Sequence, residues 1–327
     1  MSSELDKNAP LALVLGSTGG IGSHVTKMLL QRGWRVRSLS RRAVTEDAAA
    51  NQEFLVGDAM NREDVLRAAE GAELIVHAVN PPGYRNWGAL VLPMLENTIH
   101  AAETVGARIL LPGTVYNFGP DAFPALTEES PQNPRTRKGA IRSEMESRLR
   151  AASTRGVPVL IVRAGDFFGP GAQNNWFSQG LVKPGKRITN VTNPGKPGVG
   201  HQWAYLPDVA ETMGQLLDRR GELEAFAVYH MEGFWDANGR HMPAVIERVV
   251  GHHVAMKAMP WWFLRLASPF VPIFRELLEM RYLWQTPIRM KNDKLVELLG
   301  SEPRTPVDEA VRVTLIDMGC IGGINAA

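Results

Sequence analysis

Leu11-Ala12-Leu13-Val14-Leu15 runs without a break into Gly16-Ser17-Thr18-Gly19-Gly20-Ile21-Gly22. An apolar strand followed at once by a glycine-spaced turn constrains the fold more than any other stretch of the chain. Ile21, Val25, Met28 and Leu29 then recur at helical spacing, so the turn opens a helix with one apolar face, and Gly33 ends it. Such a strand-turn-helix aims backbone N–H groups and the positive end of a helix dipole at one point, where a pyrophosphate fits. Gly16 permits the tight turn, Gly19 lets backbone approach a phosphate, and Gly22 lets the helix pack on the strand. Thr18, Gly20 and Ile21 complete the candidate phosphate site. The plainer alternative is a tight strand-to-helix turn that holds no ligand.

The rest of the first half repeats this alternation. Strands are expected over residues 34–39, 54–56, 73–79, 108–111 and 157–162, with Pro112-Gly113 stopping the fifth. Helices are expected over 61–69, 87–105 and 142–153. The pattern predicts an α/β fold, a Rossmann-type doubly wound parallel sheet, with cofactors at the carboxyl ends of its strands. After Gly165 loops dominate to Gly200. A helix over 207–217, a strand over 226–229 and further helices follow. The expected division is a dinucleotide-binding domain over 1–170, to which 200–232 returns. A smaller, mostly helical substrate lobe comes from 171–199 and 233–327.

Composition sets outer limits. The 327 residues carry a net charge of +2, too small an excess for a dedicated nucleic-acid binder. The single cysteine, Cys320, excludes an intrachain disulfide and a cysteine-based zinc site, which fits a reducing, cytoplasmic setting. Residues 1–8 lack the basic start and apolar core of a signal peptide. The apolar stretch 261–280 is interrupted by Arg265, Arg275, Glu276, Pro269 and Pro272, so no integral membrane span is expected. His252-His253 is not at metal-ligand spacing, and no metal is expected.

The end of the second strand bears on the cofactor. An acidic residue there bonds the ribose hydroxyls of NAD, whereas this chain reads Leu39-Ser40-Arg41-Arg42. A guanidinium paired with a 2′-phosphate is a strong charge-assisted contact, so NADP is expected over NAD. A solvated basic loop is the alternative. The fourth strand ends in His77-Ala78-Val79-Asn80, and Ala78 and Asn80 would line the cofactor's path.

The spacing G-x-x-G-x-x-G resembles that of the short-chain dehydrogenase/reductase superfamily. Three further segments resemble its extended branch, the NAD-dependent epimerase/dehydratase group. They are Val115-Tyr116 with Phe118-Gly119-Pro120, the run from Arg163 through Phe168-Gly169-Pro170-Gly171, and the run from His201 to Asp208-Val209-Ala210. The resemblance covers about residues 10 to 220. It implies that Asp58 meets the adenine amino group, with Ala59 and Met60 beside the ring, and that Asp208 caps the next helix. Asp58 could equally be a helix N-cap or turn residue.

The resemblance breaks at the catalytic positions. The superfamily works with Ser/Thr and a Y-x-x-x-K pair, and none of the five tyrosines here has lysine at that spacing. The matching helix places Lys138 where the tyrosine belongs and Arg142 where the lysine belongs. Arg142 could hold ribose hydroxyls. Lys138 could donate a proton if a cationic neighbour such as Arg142 lowered its pKa; isoflavone-reductase-like members are similar in using a lysine. Tyr116 and Tyr84 are further candidate donors. Thr114 lies near the serine position, although a strict count lands on Pro112. Alternatively, Lys138 and Arg142 are surface charges on a basic helix.

His201 could bond substrate or serve structurally. Trp176, Phe177, Trp203, Trp235, Trp261 and Trp262 make the second half aromatic, mostly as core, with some suited to an apolar substrate pocket. A sugar nucleotide would instead need cations such as Lys183, Lys186, Arg187 and Lys196. Trp261-Trp262-Phe263-Leu264 could lie against a membrane surface or a partner subunit. The leading expectation is an NADP-dependent oxidoreductase acting on a small carbonyl substrate, using Lys138 or Tyr116 with Thr114 and Arg142. A sugar-nucleotide epimerase or dehydratase, and a non-catalytic NADP-binding sensor or scaffold, stay open. So does the oligomeric state.

Overall fold

The computed structural model describes residues 8–43, 49–81, 86–172 and 175–322, without the Pro272 side chain. The first half runs β1 (Leu11–Leu15), α1 (Gly20–Gln31), β2 (Arg35–Ser40), β3 (Gln52–Val56), α2 (Arg62–Ala69), β4 (Leu74–His77), α3 (Trp87–Val105), β5 (Arg108–Gly113), β6 (Ala125–Leu126), α4 (Arg137–Ser153) and β7 (Val159–Arg163). The second half runs β8 (Asp166–Phe168), β9 (Asn190–Asn193), β10 (His201–Tyr205), α5 (Leu206–Asp218), β11 (Phe226–His230), β12 (Phe234–Asp236), α6 (His241–Val250), β13 (Ala255–Ala258), α7 (Trp261–Ala267), α8 (Pro272–Glu279), β14 (Arg289–Met290), α9 (Asp293–Leu299) and α10 (Val307–Asp317).

Among the described residues, the main sheet has seven strands in the order β11-β7-β5-β4-β1-β2-β3, every pair parallel. This is a Rossmann-type doubly wound sheet. The strand order reverses between β1 and β4, which opens the ligand crevice at their carboxyl ends. Helices cover both faces, so the central strands β1, β4 and β7 are buried along their whole length, while β2 and the edge strand β3 carry polar residues. Leu11, Leu13 and Leu15 point to the α2–α3–α4 side, while Ala12 and Val14 point to the α1–α5 side. A third, aromatic-rich core holds the second half together around Phe168, Phe177, Trp203 and Trp284.

Two element boundaries differ from the sequence reading in ways that matter for the site. β5 does not stop at Leu111 but continues through Pro112 and Gly113. Its ladder with β4 ends at Leu110, and only β7 pairs with Pro112, so the missing proline N–H is tolerated there. α4 begins at Arg137, five residues before the expected start. The Thr136 hydroxyl caps it by accepting the Gly139 N–H at 3.0 Å. That early start places Lys138 in the first helical turn.

Candidate active site

The phosphate turn is built by close backbone approach. Gly16 has φ +87°, and a Cβ there would lie 2.7 Å from the Ala78 carbonyl oxygen at the end of β4. A Cβ on Gly22 would collide with the Gly16 carbonyl oxygen. Gly19 is the N-cap of α1, and no acidic residue stands in the first turn. The first N–H groups of a helix lack intrahelical partners, so Gly20, Ile21 and Gly22 present donors to the crevice. Thr18 is exposed beside them. The buried Ser17 hydroxyl has no hydrogen-bond partner among the described residues. Glycine cradle, helix N-terminus and unfilled hydroxyl together fit a dinucleotide pyrophosphate. The glycine spacing carries no signal for Ser17, whose burial comes from the packing of the turn.

A second layer closes over this turn. His24, on α1, donates from Nε2 to the Pro170 carbonyl at 2.9 Å. Asp317 of α10 accepts the Gly171 N–H at 2.8 Å. The loop after β8 is thereby tied to both the first helix and the C-terminal one.

Around the rest of the crevice, Ser40 ends β2, and Arg41 and Arg42 after it are exposed. Asp58 is a turn residue, its carboxylate accepting the Met60 N–H at 3.0 Å. It does not cap α2; Asn61 does, accepting from Glu63 and Asp64 at 2.9 and 3.3 Å. The buried Ala59 is held by its carbonyl, which accepts from Asn97 at 2.9 Å. Ala78 touches the Gly16 turn and Asn80 is exposed. Tyr84 lies outside the described residues.

At the end of β4, His77 is buried. Thr98 donates its hydroxyl to the Met94 carbonyl at 3.1 Å, so its 2.8 Å contact with His77 assigns the ring proton to Nδ1. Nε2 is then a bare acceptor with no hydrogen-bond partner among the described residues. Burial first, and the Arg142 charge second, push the His77 pKa down to about 3.

Lys138 is not a surface charge; it is 3% exposed. Its ammonium is ion-paired with Glu276 and, at 2.8 Å, with Glu279, both on α8. Glu279 also accepts the Lys138 backbone N–H at 3.0 Å, an anion set against a helix N-terminus. Burial works against that carboxylate's charge, but its bonds to Lys138 prevail and hold its pKa below the ordinary value. The cationic neighbour expected to act on Lys138 points elsewhere. Arg142 lies over the Trp87 ring at 5.2 Å, at the start of α3. The glutamates, some 140 residues downstream, carried no local signal that would have linked them to Lys138.

Tyr116 and Lys138 line one cavity, together with Trp176, Gln179, Leu277 and Met280. Thr114 accepts the Tyr116 N–H at 3.2 Å and so shapes the turn that presents the tyrosine. Beneath this turn lies a polar network absent from the sequence reading. Buried Arg163 is paired with Glu146, bonds His230 at 2.7 Å and lies over Phe118 at 5.0 Å. Glu146 also accepts from Gln132 at 2.7 Å, and Gln132 accepts from Asn117 at 3.0 Å.

Two other candidates take structural places. His201 is on β10. It bonds Asp166 at 2.7 Å and stacks on Trp284 with ring centroids 3.5 Å apart. Asp208 does not cap α5, whose N-cap is Tyr205. Its carboxylate instead accepts the Thr305 N–H and hydroxyl at 2.8 and 2.6 Å. Among the described residues no group of three or more His, Cys, Asp or Glu could hold a metal ion, and no helix is long and apolar enough to cross a membrane.

The chain is 30% identical over 204 residues to the uncharacterized protein y4nL of Sinorhizobium fredii, covering 55% of this chain and 57% of that one. It is 28% identical over 163 residues to a ceramide reductase of Caulobacter vibrioides, covering 48% and 46%. It thus spans about half the length of these curated relatives. The crystal structure of UDP-glucuronic acid 4-epimerase from Bacillus cereus, in complex with NAD, superposes with a TM-score of 0.73. That match has 14% identity and covers 94% of this chain and 98% of that one. The signature of the NAD dependent epimerase/dehydratase family matches residues 12–230. The chain belongs to the NAD-dependent epimerase/dehydratase family.

Proposed function

We propose that this protein is an NADP-dependent oxidoreductase acting on a hydrophobic carbonyl or alcohol substrate. The observation that carries the reading is the cavity shared by Tyr116 and Lys138, whose other walls include Trp176, Leu277 and Met280. These walls suit the apolar part of a substrate, while Lys138, Asn175, Gln179 and Glu276 supply polar groups for its reacting end. The name of the Caulobacter relative, a reductase of a lipid, points the same way.

A bound nicotinamide would supply hydride transfer to or from the substrate carbon. The chain's part is to hold the cofactor and to move one proton. The Gly16–Gly22 turn and the α1 N-terminus hold the pyrophosphate. Asp58 and Ala59 flank the adenine, and Ala78, Asn80 and Arg142 border the nicotinamide ribose. Arg41 and Arg42, with Ser40, supply charge and hydrogen bonds for a 2′-phosphate, which favours NADP. The relative of solved structure is described with NAD, so this choice rests on the two arginines. The Tyr116 hydroxyl and the Lys138 ammonium are the two groups able to deliver the proton at the substrate oxygen.

A sugar nucleotide fits less well. Lys183, Lys186, Arg187 and Lys196 are all exposed, and none lines this cavity. The buried cation that does line it, Lys138, is already paired with Glu276 and Glu279, so a diphosphate would compete with two carboxylates there.

The test is titration with NADPH and NADH, followed by nicotinamide fluorescence, with Arg41→Ala beside the wild type. Tighter NADPH binding that the variant loses is expected. Turnover is then screened on long-chain ketones and aldehydes against nucleoside-diphosphate sugars. Equal affinity for the two cofactors would sink the NADP assignment. Tight binding without turnover on any substrate would favour a non-catalytic sensor.

A further inference from the structure

α7 and α8 pack against each other and leave an unusual outer surface. Trp262 is 73% exposed, Leu266 71% and Phe270 86%. Trp262 and Leu266 stand at i, i+4 on one side of α7. The Trp262 ring meets Phe263 at 6.0 Å, and Phe263 meets Phe274 of α8 at 6.3 Å, so the apolar surface is continuous across both helices. The inner side of α7 is anchored: Leu264 is buried, and the Trp261 indole donates to the Pro194 carbonyl at 2.9 Å. The outer residues are therefore held outward by a fixed element.

Charge identifies the occupant. Residues 255–275 contain Lys257, Arg265 and Arg275 and no carboxylate. All three cations are exposed. The next carboxylates, Glu276 and Glu279, are turned inward onto Lys138. Exposed Trp, Phe and Leu in a segment whose charged residues from 255 to 275 are all cations match the headgroup boundary of an anionic bilayer. A second copy of the chain fits poorly, because a two-fold contact through one patch brings like cations together.

We infer that the α7–α8 surface docks this protein on anionic lipid bilayers, lying at the headgroup level without crossing. α8 also supplies Glu276 and Leu277 to the cavity of Tyr116 and Lys138, and Met280 follows directly after it. Docking therefore sets that cavity next to the lipid. The docking stands whether or not the redox reading does.

The experiment is flotation of the full-length protein with phosphatidylglycerol/phosphatidylcholine vesicles and with pure phosphatidylcholine vesicles, without cofactor or substrate. Co-flotation with the anionic vesicles is expected, weakened roughly tenfold or more on pure phosphatidylcholine or at high salt. Trp262→Glu/Phe270→Glu should abolish it with Tm unchanged, since both side chains are exposed. Lys257→Glu/Arg265→Glu should weaken it on anionic vesicles alone. Failure of the wild type to float with anionic vesicles would overturn the inference. So would a wild-type dimer, seen by sedimentation velocity, that Trp262→Glu/Phe270→Glu splits while flotation persists.

Discussion

The Lys138 ammonium stands 2.8 Å from one oxygen of Glu279, while the other oxygen accepts the Lys138 backbone N–H at 3.0 Å. One carboxylate thus pairs with the side chain and caps the helix that carries it. The contact joins the first turn of α4 to α8 and fixes a wall of the candidate cavity.

This geometry separates two roles for Lys138. Glu279 is about a quarter exposed, so solvent screens the pair, and a double-mutant cycle of Lys138→Met and Glu279→Gln should give a coupling of about 1–2 kcal/mol in urea unfolding. If Lys138 also delivers the proton, Lys138→Met should lower kcat by about a hundredfold or more, with KM little changed. Glu279→Gln should then keep most of kcat and shift its pH profile. Equal, small kcat losses in both variants would make Lys138 a tie between helices and leave the proton to Tyr116, which Tyr116→Phe then tests.

Gly22→Ala tests the phosphate turn. The added methyl group meets the Gly16 carbonyl oxygen, which is backbone and cannot turn aside. A stability loss of about 1–3 kcal/mol is expected from overpacking. Affinity for either nicotinamide nucleotide should fall at least tenfold, because the α1 N-terminus moves with the turn. Calorimetric titration alongside thermal melts checks both. Unchanged affinity would disconnect the turn from cofactor binding.

These residues also mark how much was legible in the sequence. The phosphate turn could be read locally, because strand, glycines and helix are consecutive and each glycine has a near neighbour to avoid. The doubly wound sheet followed from alternation alone. Lys138 could be located by spacing, but not its surroundings: Glu276 and Glu279 lie on a helix packed there by the aromatic core of the second half. The expected start of α4 came late because residues 137–141 have no apolar stripe, and the Thr136 cap decides the boundary. Arg163 was legible as part of a segment but not as a buried cation, because Glu146, Gln132 and His230 converge only in three dimensions.

That buried pair yields the next prediction. Arg163 is 1% exposed and Glu146 5%, so removing one partner strands the other in a medium that solvates it poorly. Arg163→Met should cost about 3–5 kcal/mol. Arg163→Met with Glu146→Gln should recover part of that loss, because an amide bears burial better than a carboxylate. The cation also lies over Phe118, two residues past Tyr116, so the single variant should lower kcat as well as stability. Urea titrations of the wild type, Arg163→Met, Glu146→Gln and the double variant measure the recovery. A double variant as unstable as the sum of the singles would contradict the pairing as the cause.

His77 makes the protein sensitive to mild acid. In the unfolded chain its ring protonates near its ordinary pKa of 6.5, whereas in the folded protein burial and Arg142 hold the value down to about 3. Between those values the unfolded state binds the extra proton, so stability rises with pH there and is lost as pH falls below 6.5. His77 alone should remove about 2 kcal/mol between pH 7 and pH 5. His24 and His230 are lowered as well, chiefly by burial, and act in the same direction. Lowered carboxylates such as Glu279, Glu211 and Glu232 lose their contribution only as pH falls below the ordinary glutamate range, and Asp208, raised by burial, acts in the opposite direction, so the His77 share is read as the difference between wild type and variant. His77→Gln should flatten the stability profile in that interval, whatever it does to stability at pH 7. The readout is the urea midpoint at half-unit steps from pH 7.5 to 5. An unchanged slope in His77→Gln would show that His77 is not held neutral in the folded protein.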